Sequence, residues 1–565
     1  MSDVSIVLCG EAGQGIQTVE QLLSRIVHKQ GLYVFTTKEY MSRVRGGSNS
    51  TQIRISINPV KAYVDKIDIL VPLSKNAISH LQKKITKETL IIGEKTYIEC
   101  INGSNTFEVN FNQIARSIGD SVFTNVIAVG LLSSLCNIKI ENVKLEINHF
   151  FSNKKNDIIQ KNREAAEKGY ALGKELKKKG IRFFDITKEK NKEKSILING
   201  TQAIGLGAIA GGCNFISSYP MSPSTGVLNF LSKYADDFEI LVEQAEDEIS
   251  AINMVLGAWY AGARAMVTTS GGGYALMIEG ISLAGMIESP VVIHVAQRPG
   301  PATGLPTRTE QADLEHILYS GHGEFPRIIF APGTLEDAFY LTQKAFNLAD
   351  KYQIPVFVLS DQYFVDSYYQ TEIPKIDKIQ NKRYFIRTKK DYKRYHLSDN
   401  GISPRGIPEF GQGLVCVDSD EHNEEGCITE DMGTRTRMVD KRLRKQFEIE
   451  KETIFPDFVG HEDYKYLVIG WGSTYHILRE ALKRINNHDI GFLHFKQIYP
   501  VHRNIEDYLK KAEKTIIVEN NATSQFAKLI KQYTGYSIQH HVLQYNGLPF
   551  SVEAVESKIR NIIKG

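Results

Sequence analysis

Four short segments in the middle of the chain constrain its fold more than any other feature. Ser217-Ser-Tyr-Pro-Met-Ser-Pro-Ser-Thr-Gly226 is a hydroxyl-rich turn with two prolines. Glu243-Gln-Ala-Glu-Asp-Glu-Ile-Ser-Ala-Ile-Asn-Met-Val-Leu-Gly-Ala258 is a carboxylate cluster running into an apolar helix. Thr268-Thr-Ser-Gly-Gly-Gly-Tyr-Ala-Leu-Met277 is a glycine turn, and Gln297-Arg-Pro-Gly-Pro-Ala-Thr-Gly-Leu-Pro-Thr307 follows an apolar run. Strand-like runs at 214–218, 264–269, 290–296 and 355–360 alternate with helical stretches, the pattern of a doubly wound parallel sheet. In such a sheet the loops at the carboxyl ends of the strands carry the ligand site.

The same alternation occurs twice more. Val4 to Cys9 is a β-rich apolar run. It is followed by Gly10-Glu-Ala-Gly13-Gln-Gly15 and then by a helical pattern of Ile16, Val19, Leu22, Leu23 and Ile26. Further strands are expected at 32–36, 51–57 and 68–72, and an amphipathic helix over 153–180. At the other end, runs at 464–470, 489–495, 514–519 and 538–543 again read as strands. With 565 residues the chain exceeds one core, and about three or four domains are expected. The charged stretch 187–194 reads as a linker. The expected domains are 1–185, a linker at 186–194, 195–365, a connecting segment 366–463 with weak periodicity, and 464–565.

Composition excludes several classes. A hydrophobic content of 42% with 24% charged residues describes a globular chain, and a net charge of +3 argues against a nucleic-acid surface spanning it. No run of about 18 apolar residues occurs, so no membrane span is expected. The start, MSDVSIVLCGEAGQG, does not read as a secretory signal. Cys9, Cys100, Cys136, Cys213, Cys416 and Cys427 are scattered without a C-x-x-C pair, so a reducing cytoplasm is the default and no thiolate cluster for iron–sulfur or zinc is offered.

Each motif has a plain structural alternative. The glycines at 10, 13 and 15 can let backbone N–H groups approach a phosphate, or simply make a tight turn. Gly205-Leu-Gly207 lies within an apolar helical stretch, where helix packing is the better reading. In the Tyr219–Thr225 turn the prolines stiffen a loop of exposed hydroxyls, although Ser222 or Ser224 could cap a helix instead. Most of Glu243, Glu246, Asp247 and Glu248 suit a helix start, yet one buried carboxyl among them could act as an acid or base. Arg298 could clamp a carboxylate through two parallel hydrogen bonds, or form a surface salt bridge. Asp420-Glu-His-Asn-Glu-Glu-Gly-Cys427 reads as a solvated acidic loop rather than a metal site.

Taken together, these motifs resemble the α subunit of the 2-oxoacid:ferredoxin oxidoreductases, of the 2-oxoglutarate type with a γ domain fused at its N-terminus. The similarity covers nearly the whole chain. GEAGQGIQ and RVRGGS (43–48) look like the γ domain. SYPMSPST, EDEISAINMVLGA and QRPGPATGLPT look like the active-site face of the α domain. DEHNEEGCITED, MVDKRLRK, IGWGST, QIYPVHR and VENNATSQFAKLI look like the rest of that subunit.

The resemblance implies a multidomain α/β fold: a γ-type domain, a thiamine-diphosphate-binding-like doubly wound domain, and a domain like the C-terminal one of transketolase. It implies that Glu248 hydrogen-bonds N1′ of the thiamine aminopyrimidine and favours the imino tautomer that deprotonates the thiazolium C2. Tyr219 and Pro220 belong to the same cofactor loop. Ser222, where many relatives carry threonine, and Arg298 are implied to bind the 2-oxoacid. Gly10, Gly13 and Gly15 are implied to hold a phosphate of coenzyme A. Ser270-Gly-Gly-Gly273 replaces a Ser-Gly-Pro-Gly of relatives, so a softer loop is expected there. No metal ligand is assigned to this chain, which lacks a Gly-Asp-Gly motif followed by an asparagine pair. Magnesium and a [4Fe–4S] cluster are therefore expected on a β subunit, with ferredoxin as acceptor and an (αβ)2 assembly. A sister activity on pyruvate, branched-chain or aryl 2-oxoacids, or a non-catalytic nucleotide-binding subunit, are the alternatives.

Overall fold

The strand Asp3–Glu11 is buried along nearly its full length, as befits the interior of a sheet covered on both faces. In the computed structural model, which describes residues 3–11, 14–42, 47–99, 105–181 and 195–565, it lies within an eight-stranded mixed sheet. The order is Asn105–Glu108, Leu90–Gly93, Ile69–Pro72, Asp3–Glu11, Ser48–Ser56, Tyr33–Glu39, Tyr368–Glu372 and Ser195–Asn199. The first four strands run parallel, and Ser48–Ser56 pairs antiparallel with Asp3–Glu11. The helix Ile16–Lys29 presents Val19, Leu22, Leu23 and Ile26 to the core. Helix Thr124–Leu135 is buried all round and crosses Asn156–Lys178 closely. At the crossing, a side chain on Gly130 would strike the Ala166 backbone, and one on Gly169 the Ile127 backbone.

The second compact unit spans Asn199–Val365, Pro374–Phe550 and Ala554–Gly565. Its main sheet has the order Gln497–Tyr499, Ile328–Phe330, Pro355–Asp361, Val291–Gln297, Ala265–Thr269, Phe215–Ser218 and Leu241–Gln244. All neighbours are parallel except Gln497–Tyr499, which the C-terminal region adds antiparallel at one edge. The helix Gly200–Ala210 carries Gly205 and Gly207. They press against Phe230, and against Phe339 and Thr342, so these glycines serve helix packing. A five-stranded sheet, ordered Asp457–Val459, Ile490–Phe495, Tyr466–Trp471, Lys514–Glu519 and His540–Leu543, makes up the C-terminal part.

By compactness the chain falls into two units, and three short segments, Ser195–Ile198, Asp366–Ile373 and Ser551–Glu553, group with the N-terminal one. Ser195–Ile198, expected to open the second domain, belongs to the first unit, and so does Asp366–Ile373 from the connecting segment. Ser195–Asn199 and Tyr368–Glu372 are short strands whose partners lie far away in sequence, so periodicity cannot reveal where they pair. The linker at 186–194 lies outside the described residues. The rest of the connecting segment is ordered: it forms a small parallel pair, Phe385–Thr388 with Arg405–Gly411, and the helix Met432–Lys451. That helix is fixed by buried charge. Its Lys441 and Lys445 reach Glu288 at 2.5 Å and 2.6 Å, and the strand Arg405–Gly411 is held in a similar way, Arg405 reaching Asp350 at 2.5 Å.

The acidic stretch 420–427 also departs from the solvated loop that was expected. Glu421 is held by Arg435 and Arg442, Glu424 by Lys393 and His396, and His422 is buried with its ring against Tyr395. Its carboxylates find basic partners from distant segments, which the local sequence does not disclose.

Candidate active site

Four adjacent parallel strands deliver the sequence-selected residues to one edge of the seven-stranded sheet. Leu241–Gln244 leads to Glu248, Phe215–Ser218 to the Tyr219–Thr225 turn, Ala265–Thr269 to the three glycines, and Val291–Gln297 to Arg298. This is the carboxyl edge, where open α/β sheets bind ligands.

The carboxylate cluster separates into roles. Glu243 and Glu246 are exposed. Asp247 caps the helix Glu248–Tyr260, its side chain accepting from the Ser250 N–H at 2.7 Å. That cap fixes Glu248 as the first helical residue and turns it inward. Glu248 is only 3% exposed, and its Oε1 is buried with no hydrogen-bond partner. Burial pushes its carboxyl above the ordinary range and the charge of Asp247 adds to this, while the Arg298 guanidinium opposes it. A side chain at position 273 would run into the Glu248 carboxyl and the Thr269 hydroxyl and displace them. The expected softer loop at 270–273 is instead a helix start: Ser270 precedes the helix Gly271–Leu276 directly, and its own Oγ is buried without a partner.

Arg298 is buried rather than at the surface. Its Nη1 donates to the Ser222 main-chain carbonyl at 2.7 Å, and its Nε has no partner. Burial lowers its proton affinity, and Asp313 and Glu248 work against that. Ser222 itself is exposed, as is Tyr219, with Pro220 half-buried between them. Neither serine of the turn makes a side-chain cap. The helix Thr225–Lys233 starts after Ser224 without such a bond, and the Ser224 hydroxyl donates to the Met221 carbonyl at 2.7 Å.

Sequence reasoning missed Asp313. It sits on the loop after Arg298, with its N–H bonded to Gln297 Oε1 at 3.0 Å. Its Oδ2 is buried and unpartnered, and its carboxyl packs against Gly271, where any side chain would collide. Burial, with Glu310 adding to it, pushes the Asp313 carboxyl up to about 7 against the pull of Arg298. A single Asp between Ala312 and Leu314 gives no periodic or motif signal. Gln311 also went unseen. It bonds Asn520 through both main chains and its Oε1, and reaches the Trp471 carbonyl through Nε2, tying the loop to the C-terminal sheet.

At the N-terminal unit, Gly10 lies within the strand Asp3–Glu11, and the Gln14 side chain fills the space beside it. Gly15, at φ +71°, precedes the helix Ile16–Lys29. The first turn of that helix has no acidic residue and no side-chain cap. Gly15 lines a cavity of about 730 Å³ together with Thr18, Tyr97, Asn125, Lys154 and Lys161. Gly10 does not line it. Gly13, and most of the 43–48 stretch, lie outside the described residues.

The comparisons assign this doubly wound fold to the thiamine-diphosphate-binding class. Residues 206–441 match the family described as pyruvate flavodoxin/ferredoxin oxidoreductase, thiamine diphosphate-binding, and residues 5–172 the pyruvate ferredoxin/flavodoxin oxidoreductase family. A 2-oxoacid:ferredoxin oxidoreductase subunit alpha from a Sulfolobus species is 31% identical, with 99% of this chain and 97% of the relative covered. A 2-oxoglutarate oxidoreductase subunit KorA from Mycobacterium tuberculosis is 27% identical over 100% of this chain and 92% of its own length. The structure of 2-oxoglutarate:ferredoxin oxidoreductase from Magnetococcus marinus, with 2-oxoglutarate, coenzyme A and succinyl-CoA bound, superposes with a TM-score of 0.92. It is 30% identical, and both chains are covered in full. The chain belongs to the 2-oxoacid:ferredoxin oxidoreductase α-subunit family. It is thus one subunit of a multi-subunit oxidoreductase, and among its described residues no helix is long and apolar enough to cross a membrane.

Proposed function

We propose that this chain, paired with a β subunit, oxidatively decarboxylates a 2-oxoacid, with 2-oxoglutarate the leading substrate. Coenzyme A takes up the acyl group, and the products are an acyl-CoA, CO2 and two electrons passed to ferredoxin. The β subunit holds magnesium, the pyrophosphate of the cofactor and a [4Fe–4S] cluster, in an (αβ)2 assembly. The free cysteines suit a reducing cytoplasm.

The observation that carries this reading is a pair of buried polar atoms left unused at one strand edge: Oε1 of Glu248 and Nε of Arg298. A buried group without a partner is costly in a finished core and is expected where a ligand completes it. An oxygen that holds a proton suits a ring nitrogen of the aminopyrimidine, and a guanidinium N–H suits a carboxylate. The residues present therefore fit thiamine diphosphate and a 2-oxoacid.

Thiamine diphosphate, when bound, supplies the electron sink for the bonding pair left by CO2. Glu248 shares a proton through Oε1 with the ring nitrogen. Burial raises its proton affinity, which favours sharing that proton. The Ser222 carbonyl fixes the plane of the Arg298 guanidinium, which then receives the substrate carboxylate without reorganising. The exposed Ser222 hydroxyl orients the same carboxylate. In the N-terminal unit, the open helix start after Gly15 and the cavity with Lys154 and Lys161 suit the phosphates of coenzyme A.

The test is to purify the chain alone and co-purified with its partner. The complex is expected to reduce a viologen dye only when 2-oxoglutarate and coenzyme A are both present. The isolated chain is expected to be colourless and inactive. Turnover by the isolated chain would remove the two-subunit reading.

A further inference from the structure

We propose that Cys416 and Cys427 form a thiol modification site, which a hydroperoxide oxidises to a disulfide that closes the segment 416–427 into a loop. The site uses neither Glu248 nor Arg298 and stands independently of the function proposed above.

Among the described cysteines, Cys9, Cys136 and Cys213 are buried, where thiols are inert, whereas Cys416 is half-buried and Cys427 exposed. A tight turn brings these two together. Gly426 takes φ +92°, and its N–H donates to the Asn423 carbonyl at 3.0 Å. The Cys427 N–H donates to Asn423 Oδ1 at 3.0 Å, and an antiparallel bridge between His422 and Ile428 closes the same turn. Cys416 lies directly on it. Its thiol donates to the Gly426 carbonyl at 3.2 Å. A side chain on Gly426 would strike the Cys416 carbonyl oxygen and sit 3.2 Å from the Cys416 Cβ. Cys416 thus packs against the residue bonded to Cys427, whose α carbon is one peptide step of about 3.8 Å further on. Disulfides bridge α carbons about 4.4–6.8 Å apart, and a contact this close to the neighbour of Cys427 meets that requirement. In keeping with this, burial and the nearby Cys427 thiol both raise the proton affinity of Cys416.

The segment between the two cysteines is already tethered. Glu421 holds Arg435 and Arg442 of the helix Met432–Lys451, and Glu424 holds Lys393. Val415, the residue before Cys416, accepts from the Tyr260 hydroxyl at 2.8 Å, at the far end of the helix that Glu248 opens. A disulfide here braces contacts that the reduced form already makes. Exposure divides the roles. The Cys427 thiolate attacks the O–O bond of the hydroperoxide and keeps one oxygen as a sulfenic acid, and the other oxygen leaves as an alcohol, or as water from hydrogen peroxide. The Cys416 thiolate then attacks that sulfur, the S–S bond forms, and the sulfenic oxygen leaves as water. The two thiols give up two electrons and two protons, and the peroxide takes them up. A small dithiol reverses the step by exchange through a mixed disulfide and departs with its own two sulfurs bonded.

The experiment treats the co-purified complex with hydrogen peroxide in slight excess, removes the oxidant with catalase, and alkylates the remaining thiols with iodoacetamide in denaturant. Trypsin then releases both cysteines in one peptide, 406–435, because no Lys or Arg lies between Arg405 and Arg435. In the wild type this peptide is expected to carry no alkyl group and to be two hydrogens lighter than the dithiol, while Cys9, Cys136 and Cys213 are alkylated. Dithiothreitol before alkylation restores two alkylated thiols. In Cys416→Ser the oxidation stops at Cys427, and dimedone traps a sulfenic acid there. In Cys427→Ser, Cys416 stays a thiol at the same dose. Alkylation of both cysteines in the oxidised wild type overturns the proposal, and so does a link from either of them to another cysteine. Sulfenic acid on Cys416 in Cys427→Ser, formed as readily as on Cys427 in Cys416→Ser, overturns the division of roles. If a serine variant fails to fold, the wild-type peptide still decides. No turnover is read, so failure of the functional reading leaves this result untouched.

Discussion

The guanidinium of Arg298 donates to the main-chain carbonyl of Ser222 at 2.7 Å. The loop after one strand thereby aims a side chain from the end of another. This contact uses one arm of the fork and leaves Nε buried and free for a ligand.

Arg298→Lys keeps the charge but cannot hold the Ser222 carbonyl and a carboxylate in the same plane. We expect kcat/KM to fall by about tenfold or more, since hydrogen bonds to charged groups are worth about 1.5–3 kcal/mol. Steady-state kinetics with 2-oxoglutarate and pyruvate check this, and the loss should be similar for both, because each carries the contacted group. Selective loss of 2-oxoglutarate use would reassign Arg298 to the distal carboxylate.

Gly15 has φ +71°, and a side chain there would meet the Asn125 amide. Gly15→Val is therefore strained by about 1–2 kcal/mol locally and narrows the mouth of the cavity. The KM for coenzyme A is expected to rise severalfold. CO2 release in the absence of coenzyme A should stay near wild type. The reverse pattern, slowed CO2 release with an unchanged KM for coenzyme A, would detach the cavity from coenzyme A.

Glu288 is held far below its ordinary carboxyl range by Lys441, Lys445 and Arg394, against the cost of burial. Glu288→Gln leaves two ammonium groups buried without their anion, and Lys445 is already pushed down to about 8 by burial. Breaking such a pair costs about 3–5 kcal/mol, so the thermal midpoint should drop clearly at pH 7. A depressed carboxyl pKa gives stability that is present above the unfolded value of 4.5 and lost as pH falls below it. The gap between wild type and Glu288→Gln should therefore narrow in acid. A gap that stays constant from the unfolded value of 4.5 down to about pH 2.5 would show that packing, not charge, is lost.

How far the sequence discloses this molecule depends on how local each signal is. The strands at 214–218, 264–269, 290–296 and 355–360 were legible because each is an apolar run bounded by turn residues, and their carboxyl ends placed Glu248, Ser222 and Arg298 at one edge. The four clustered carboxylates could not be ranked from sequence. Only the cap from Asp247 to Ser250 determines that Glu248 faces inward while Glu243 and Glu246 face water. Asp313, Gln311 and Gln525 were invisible, since their partners lie up to about two hundred residues away and no local pattern marks them. The same distance hid the pairing of Ser195–Asn199 and Tyr368–Glu372 in the N-terminal sheet.

Glu248→Gln in the co-purified complex bears most directly on the proposed chemistry. The amide keeps the shape of the side chain but cannot share a proton through the buried Oε1. Single-turnover release of CO2 from 2-oxoglutarate is expected to slow by roughly two to four orders of magnitude, the range of a positioned acid or base. Glu246→Gln, altered at an exposed carboxyl in the same cluster, should stay near wild type. Near-normal CO2 release by Glu248→Gln would contradict the account and leave Glu248 as no more than the first residue of its helix.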